Sequence, residues 1–235
     1  MIEWEDFKEP CCVVVPIYRE SIVFFEQASL IQLVRVLGNK YDICLVCPFG
    51  LDLTPYTSMV PDYRFRVKRF SKGFFDGLQG YNQLCKRFEF YEAFRGYTYM
   101  LIYQLDCWIF DDNLDYFMSL GYDYIGAPWI RIEDNQLKSM SCGNGGFSLR
   151  RTDKFIEVCK EYREKADDES VPEDVFFSTG CDGKIKVCTV EDGRAFSFEV
   201  GPSLMFKMND QKLPMGCHKP YLFEFKSFWK NYIKF

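Results

Sequence analysis

An apolar run from Tyr99 to Tyr103 stops at Gln104, and a lone carboxylate, Asp106, follows between Leu105 and Cys107. Burying an ionised carboxylate without a partner costs several kcal/mol or more. The chain therefore surrounds Asp106 with donors, keeps it neutral, or gives it a metal. At the end of a central strand the third option places a cation where α/β sheets bind ligands. His218 is the only histidine, in the loop Leu213-Pro-Met-Gly-Cys-His-Lys-Pro220. It reads either as a structural imidazole or as a second ligand recruited from a distant segment. Oxygen plus one imidazole suits Mn²⁺ or Mg²⁺ better than zinc.

Two further segments carry polar groups in telling places. Cys142-Gly-Asn-Gly-Gly-Phe-Ser-Leu-Arg150 has glycine at 143, 145 and 146. Such a backbone approaches a ligand closely and can cradle an oxyanion or a sugar; it is equally a hairpin turn entering a strand. Pro172-Glu-Asp-Val175 is an ordinary helix start, where acids complement the dipole, or a firm mount for a general base.

The elements that must position these groups alternate. Strands are expected at Cys12–Pro16, Asp42–Cys47, Tyr63–Phe70, Tyr99–Tyr103 and Tyr122–Ile125. Helices are expected at Ile22–Leu37 and Leu78–Phe94, with a short one from Asn113. Alternation of this kind predicts an α/β fold with a mostly parallel sheet and right-handed crossovers. After Trp129 the pattern turns irregular, with short strands (Gly146–Leu149, Ile185–Val187) and helices (Thr152–Lys165, Glu173–Ser178). Pro16-Ile-Tyr-Arg19 stands where a glycine-rich phosphate fingerprint would follow the first strand, which argues against a dinucleotide fold.

With 235 residues the chain is expected to be a single domain, able to bury roughly 70–75% of its unfolded surface. The halves are expected at about 11–129 and 130–235. A net charge of −5 argues against a nucleic-acid partner. The eleven cysteines are odd in number and many lie in apolar runs, and no leader peptide is read. They are expected to be reduced, buried thiols of a cytoplasmic protein. Cys44 and Cys47 have metal-like spacing, but on a strand positions three apart face opposite ways. In the tail Lys226–Phe235, lysines 226, 230 and 234 share a helical face. The tail either lies on an anionic membrane surface or packs on the domain with its lysines reaching out.

Several of these segments, in this order, resemble GT-A-type glycosyltransferases: Val13-Val-Val-Pro-Ile17, Gln104-Leu-Asp106, Gly143-Asn-Gly-Gly-Phe-Ser-Leu-Arg150, Glu173-Asp-Val175 and Gly216-Cys-His218. With Ile102-Tyr-Gln-Leu-Asp106 and Tyr122-Asp-Tyr-Ile-Gly-Ala-Pro-Trp129, the chain looks most like a bacterial family of small transferases associated with surface polysaccharide. The Gly-Gly and Glu-Asp-Val pair is also similar to fringe-type and core galactosyltransferases. The GT-A metal motif is Asp-x-Asp, and this sequence departs from it with Gln104 in place of the first acid.

The resemblance implies a metal-dependent, inverting glycosyltransferase. It would move one sugar from a nucleotide diphosphate sugar, a UDP-sugar, to a glycan or lipid-linked acceptor at the cytoplasmic, inner face of a membrane. Asp106 and His218 would hold Mn²⁺ or Mg²⁺. Asp174, with Glu173 second, would be the base. Pro16, Tyr18 and Arg19 would hold the nucleotide, with Asn82, Lys86 and Gln104 reaching sugar or phosphate. Gly145 and Gly146 would form the floor under the sugar, and Trp129 would stack on the acceptor. Two other readings stand beside it: a nucleotidyltransferase making activated sugars, and a non-catalytic glycan- or nucleotide-binding module.

Overall fold

The computed structural model describes residues 8–133 and 136–234. Its strands are β1 (Glu9–Pro16), β2 (Asp42–Pro48), β3 (Arg66–Phe70), β4 (Tyr97–Tyr103), β5 (Cys107–Ile109), β6 (Tyr124–Gly126), β7 (Pro128–Glu133), β8 (Gln136–Cys142), β9 (Phe147–Arg151), β10 (Ser197–Phe198) and β11 (Gly216–His218). The main sheet runs β3-β2-β1-β4-β9-β6. The first four strands are parallel, and β9 enters antiparallel between β4 and β6. The order reverses at β1, so the crevice beyond β1 and β4 is a topological switch point, where open α/β sheets bind ligands.

Side chains alternate across the sheet as the strand period requires. Val13, Val15, Leu45, Leu101 and Tyr103 enter one core, and Cys12, Val14, Val46, Met100 and Ile102 enter the other. Cys47 lies in the first core and Cys44 in the second, so they do not form a joint site. All eleven cysteines are buried and free. No helix among the described residues is long and apolar enough to cross a membrane.

Two small sheets complete the site end. In one, β5 pairs antiparallel with β11, which pairs parallel with β10. The Phe24–Leu37 helix anchors β5: Ser29 Oγ donates to the Cys107 carbonyl at 2.7 Å and Gln32 Nε2 to that of Ile109 at 2.7 Å. Bonding these backbone carbonyls, the first of which also accepts from the Tyr103 hydroxyl at 3.2 Å, explains two buried polar residues on an apolar helix face.

Several boundaries differ from the sequence reading. The expected helix over 78–94 breaks into Gly77–Cys85 and Phe88–Glu92, because Arg87 is extended and the Tyr91 hydroxyl caps the Cys85 carbonyl at 2.7 Å. The third strand starts at Arg66, since Tyr63 turns its hydroxyl back to the Ile43 amide and the Tyr41 carbonyl. The 152–165 helix divides at Tyr162. After Glu173–Val175 the backbone widens into a π-type turn over Phe176–Gly180, where Ser178, Thr179 and Cys181 side chains donate to the carbonyls of Asp174, Val175 and Phe176. Around Ile185–Val187 a single bridge, Val187 to Tyr124, replaces the strand. The tail is helical only over Phe223–Trp229, and Phe235 lies outside the described residues. Trp229 and Ile233 are buried against Phe198, Met205 and Cys217, while Lys226, Lys230 and Lys234 are exposed. The tail thus packs on the domain with its lysines outward.

Candidate active site at the end of the central strands

Sheet pairing brings together the acid and the imidazole that the sequence separates. Antiparallel pairing sets His218 opposite Cys107, next to Asp106. His218 Nε2 lies 3.1 Å from Asp106 Oδ1 and 3.1 Å from Gln104 Oε1. The Lys219 amide donates to the Asp106 carbonyl at 2.8 Å, with Lys219 in the left-handed region at φ 53°. The other ring nitrogen, Nδ1, is 3.0 Å from Glu199 Oε2, and Lys219 Nζ sits 3.4 Å from Glu199 Oε1.

The electrostatics follow from this sandwich. Burial works against a charged His218, but the hydrogen bonds and charges of Asp106 and Glu199 outweigh it and raise its pKa to about 9. Burial likewise pushes the two carboxyls up, and His218 and Lys219 reverse that, holding both below their ordinary values. With no cation bound the group is therefore two carboxylates around an imidazolium, and a metal ligated by Nε2 would take the place of the proton there.

A divalent cation fits these donors. Two oxygens and one imidazole nitrogen meet with separations of 3.1 Å about Nε2, close to the ~3 Å edge of an octahedron with ~2.1 Å bonds. Cys107 Sγ is near Asp106 and His218 too. It is a poor ligand: its thiol donates to the Gly146 carbonyl, and burial holds its pKa well above the ordinary value.

A cleft of about 500 Å³ opens in front of this group. Pro16, Tyr18 and Arg19 from the end of β1 line it, with Phe25, Tyr56, Tyr81, Gln104, Asp106 and Tyr221. Tyr221 stacks on Phe25 at a centroid distance of 3.7 Å. Arg19 is held by both oxygens of Glu26, each at 2.7 Å. The wall is thus rich in aromatic rings, with a cation held among them.

Gly145 and Gly146 sit beside the cleft for a reason the sequence did not show. A Cβ on Gly146 would lie 2.2 Å from the His218 ring, and one on Gly145 would lie 2.0 Å from Glu173 Oε1. What approaches these glycines is the protein's own site. The Gly146 carbonyl also accepts from the Gln104 amide at 3.1 Å, so the glycine turn, Gln104 and His218 are packed as one unit.

The two acids of the Glu173–Val175 turn part company. Glu173 is 4% exposed and pairs with the fully buried Arg150 at 3.0 Å. Its carboxylate is committed inside the fold, which corrects its reading as a base. Asp174 is only partly buried, and that burial raises its carboxyl above the ordinary value. Its Oδ1 accepts from the Val175 amide at 2.8 Å. Trp129 lies on the same side, since a Cβ on Gly143 would touch both Trp129 and Ser178, and Ser178 bonds to the Asp174 carbonyl. The Trp129 indole donates to Asn144 Oδ1 at 2.6 Å, leaving the ring partly exposed.

The helix residues are also corrected. Lys86 is 1% exposed and its ammonium donates to the Asp168 and Val171 carbonyls at 2.6 and 2.9 Å. It staples a loop and does not reach the cleft. Asn82 accepts from the Glu173 amide at 3.3 Å and so caps that turn. Glu199 was missed altogether. It follows β10 directly, and only the parallel pairing with β11 sets it beside His218.

The fold is shared with solved glycosyltransferases of the GT-A type. Galactosyltransferase LgtC, in complex with donor and acceptor sugar analogs, superposes with a TM-score of 0.59 at 10% identity, covering 92% of this chain and 91% of that one. Core-mannan synthase A from Aspergillus fumigatus, in its Mn/GDP form, gives 0.57 at 10% identity over 79% of this chain and 73% of that one. Mouse xyloside xylosyltransferase 1 gives 0.52 at 11% identity over 90% and 97%. No curated protein matches the chain by sequence. Residues 64–218 match the model of a family described as "Protein of unknown function (DUF5672)".

Proposed function

We propose, from the premise that the chain belongs to the DUF5672 family and has the GT-A fold, that it is a metal-dependent glycosyltransferase using a nucleotide diphosphate sugar. The observation that carries this reading is the meeting of Gln104, Asp106 and His218 at the head of a cleft on the switch point of the sheet. Asp106 and His218, with Gln104 beside them, would hold Mn²⁺ or Mg²⁺. When bound, such an ion neutralises charge on a diphosphate leaving group. Pro16, Tyr18 and Arg19 hold the nucleotide, the aromatic wall offering a face to the base. A UDP-sugar is the donor we adopt.

Asp174 takes the proton of the acceptor hydroxyl, and Trp129 stacks on the acceptor sugar. A direct displacement assisted by Asp174 inverts the anomeric centre. The exposed lysines of the tail would meet an anionic inner membrane surface carrying a lipid-linked acceptor of surface polysaccharide synthesis.

The test is a melting panel of UDP- and GDP-sugars with and without Mn²⁺. A donor at 100 times its dissociation constant stabilises the fold by about 2.7 kcal/mol. At about 2–4 °C per kcal/mol for a chain of this size, that is roughly 5–10 °C. The reading fails if no nucleotide sugar moves the midpoint in the presence of Mn²⁺.

Asp174→Asn is expected to leave donor affinity unchanged and to lower turnover by about 10²–10⁴-fold, the usual range for a lost general base. NMR of the wild-type product should show the anomer opposite to the donor's. A product that keeps the donor's anomer would remove Asp174 from the base role.

A further inference from the structure

Glu199 faces a nitrogen with each oxygen, and among the described residues neither its Oε2 nor His218 Nδ1 makes a hydrogen bond to any other group. One faces His218 Nδ1 at 3.0 Å and the other faces Lys219 Nζ at 3.4 Å. Its side chain is only 12% exposed. The parallel pairing Phe198↔Cys217 places Glu199, directly after β10, level with His218 at the end of β11. A Cβ on Gly146 would collide with the His218 ring, so the missing side chain makes room for that ring between Glu199 and Asp106.

An imidazole can ligate through either nitrogen, and the hydrogen bond on one sets which lone pair faces the metal. We propose that Glu199 is a positioning residue for the cation site: it accepts the Nδ1 hydrogen of His218 and so turns Nε2 towards Asp106 and Gln104. The role rests on the metal reading above and assigns it a second layer that no sequence motif announces. Lys219 balances the Glu199 charge and keeps that carboxylate from serving as a ligand itself.

The experiment is a titration of Mn²⁺ against the full chain with saturating UDP, reading free Mn²⁺ by EPR. Spin-echo EPR then reads the ¹⁴N modulation of a bound imidazole. Glu199→Ala is expected to weaken Mn²⁺ binding by about 10–100-fold, the usual cost of losing a carboxylate behind a ligating histidine, and to diminish the ¹⁴N modulation. Glu199→Gln, whose amide oxygen still accepts from Nδ1, should retain most of both. Melting in EDTA shows whether each variant is folded, and Glu199→Gln carries the test if Glu199→Ala is not: tight binding with full modulation is then the supporting result, and loss of both overturns the proposal. Unchanged affinity and modulation in a folded Glu199→Ala also overturns it. Failure of the underlying reading looks different, because wild type itself would then bind no Mn²⁺ or show no ¹⁴N modulation.

Discussion

Asp106→Asn is expected to abolish Mn²⁺-dependent binding of UDP and to lower sugar transfer by about 10³-fold or more. A thousandfold is about 4 kcal/mol of transition-state stabilisation, the scale of a lost Lewis-acid or oxyanion contact. The substitution keeps the shape of the side chain and removes its charge. It spares the main-chain contact at this position, because the Asp106 carbonyl, not its carboxylate, receives the Lys219 amide at 2.8 Å. The Ser29 and Gln32 bonds that fix β5 are likewise made to main-chain carbonyls of Cys107 and Ile109. The fold should therefore persist while the site loses its strongest anionic donor. His218 would remain beside Gln104 and Glu199, so metal-independent nucleotide binding along the aromatic wall should survive. Calorimetry of UDP binding with and without Mn²⁺ separates the two contributions. An Mn²⁺-dependent gain in UDP affinity equal to that of wild type would take Asp106 out of the cation site and leave the group as an internal ion pair.

The part of this site that was legible from sequence is the part with a local cause. Asp106 stands out because it ends a run of buried side chains, and a carboxylate there needs an answer. His218 stands out by being the sole imidazole in a loop marked by proline and glycine. Glu199 has no such mark. It occupies an alternating segment, Phe196-Ser-Phe-Glu-Val200, that reads as any half-buried strand, and only the register of β10 on β11 makes it a neighbour of His218. Lys86 shows the opposite error. A lysine on the helix before β4 suggests a phosphate contact, but helix position does not say which carbonyls lack donors, and those of Asp168 and Val171 claim it. Glycines 145 and 146 were read as a place for close approach, and approach there is close; the approaching groups are Glu173 and His218. The alternation of strands and helices predicted the mostly parallel sheet, because core-facing periodicity is a local property. The break at Arg87 was hidden because the hydroxyl that caps the first helix belongs to Tyr91, a residue that also suits a continuous helix.

Arg150 carries the second large expectation, in stability. Arg150→Met should lower unfolding free energy by about 3–5 kcal/mol, the cost of stripping a buried charge of its partner. At about 2–4 °C per kcal/mol this is a fall of roughly 10 °C in melting temperature. The guanidinium is fully buried and gives hydrogens to the Tyr91 hydroxyl at 2.9 Å, Ser148 Oγ at 3.0 Å, the Gly145 carbonyl at 3.3 Å and Glu173 Oε1 at 3.0 Å. Rings of Tyr124, Phe155 and Phe177 surround it at 5.4–5.7 Å. Methionine fills much of that volume but leaves Glu173 ionised in an apolar pocket, where Oε2 already has no hydrogen-bond partner among the described residues. Burial alone pushes the Glu173 carboxyl up, and Arg150 is what opposes the shift. Without Arg150 the folded pKa rises further above the unfolded value of about 4.3. A raised folded pKa contributes stability below the unfolded value and loses it as pH climbs through the folded one. The defect of Arg150→Met should accordingly be least near pH 4–5 and deepen towards neutrality. Adding Glu173→Gln removes the uncompensated charge and should recover a large part of the loss, which a double-mutant cycle measures directly. If the double variant is as unstable as the single one at every pH, the cost lies in packing around the three rings and the pair has no electrostatic role. The same cycle bears on function, because Glu173 and Arg150 clamp Gly145 from below, and Gly146 is the surface on which His218 rests. A clamp that loosens there should weaken Mn²⁺ binding although neither Arg150 nor Glu173 touches the cation site.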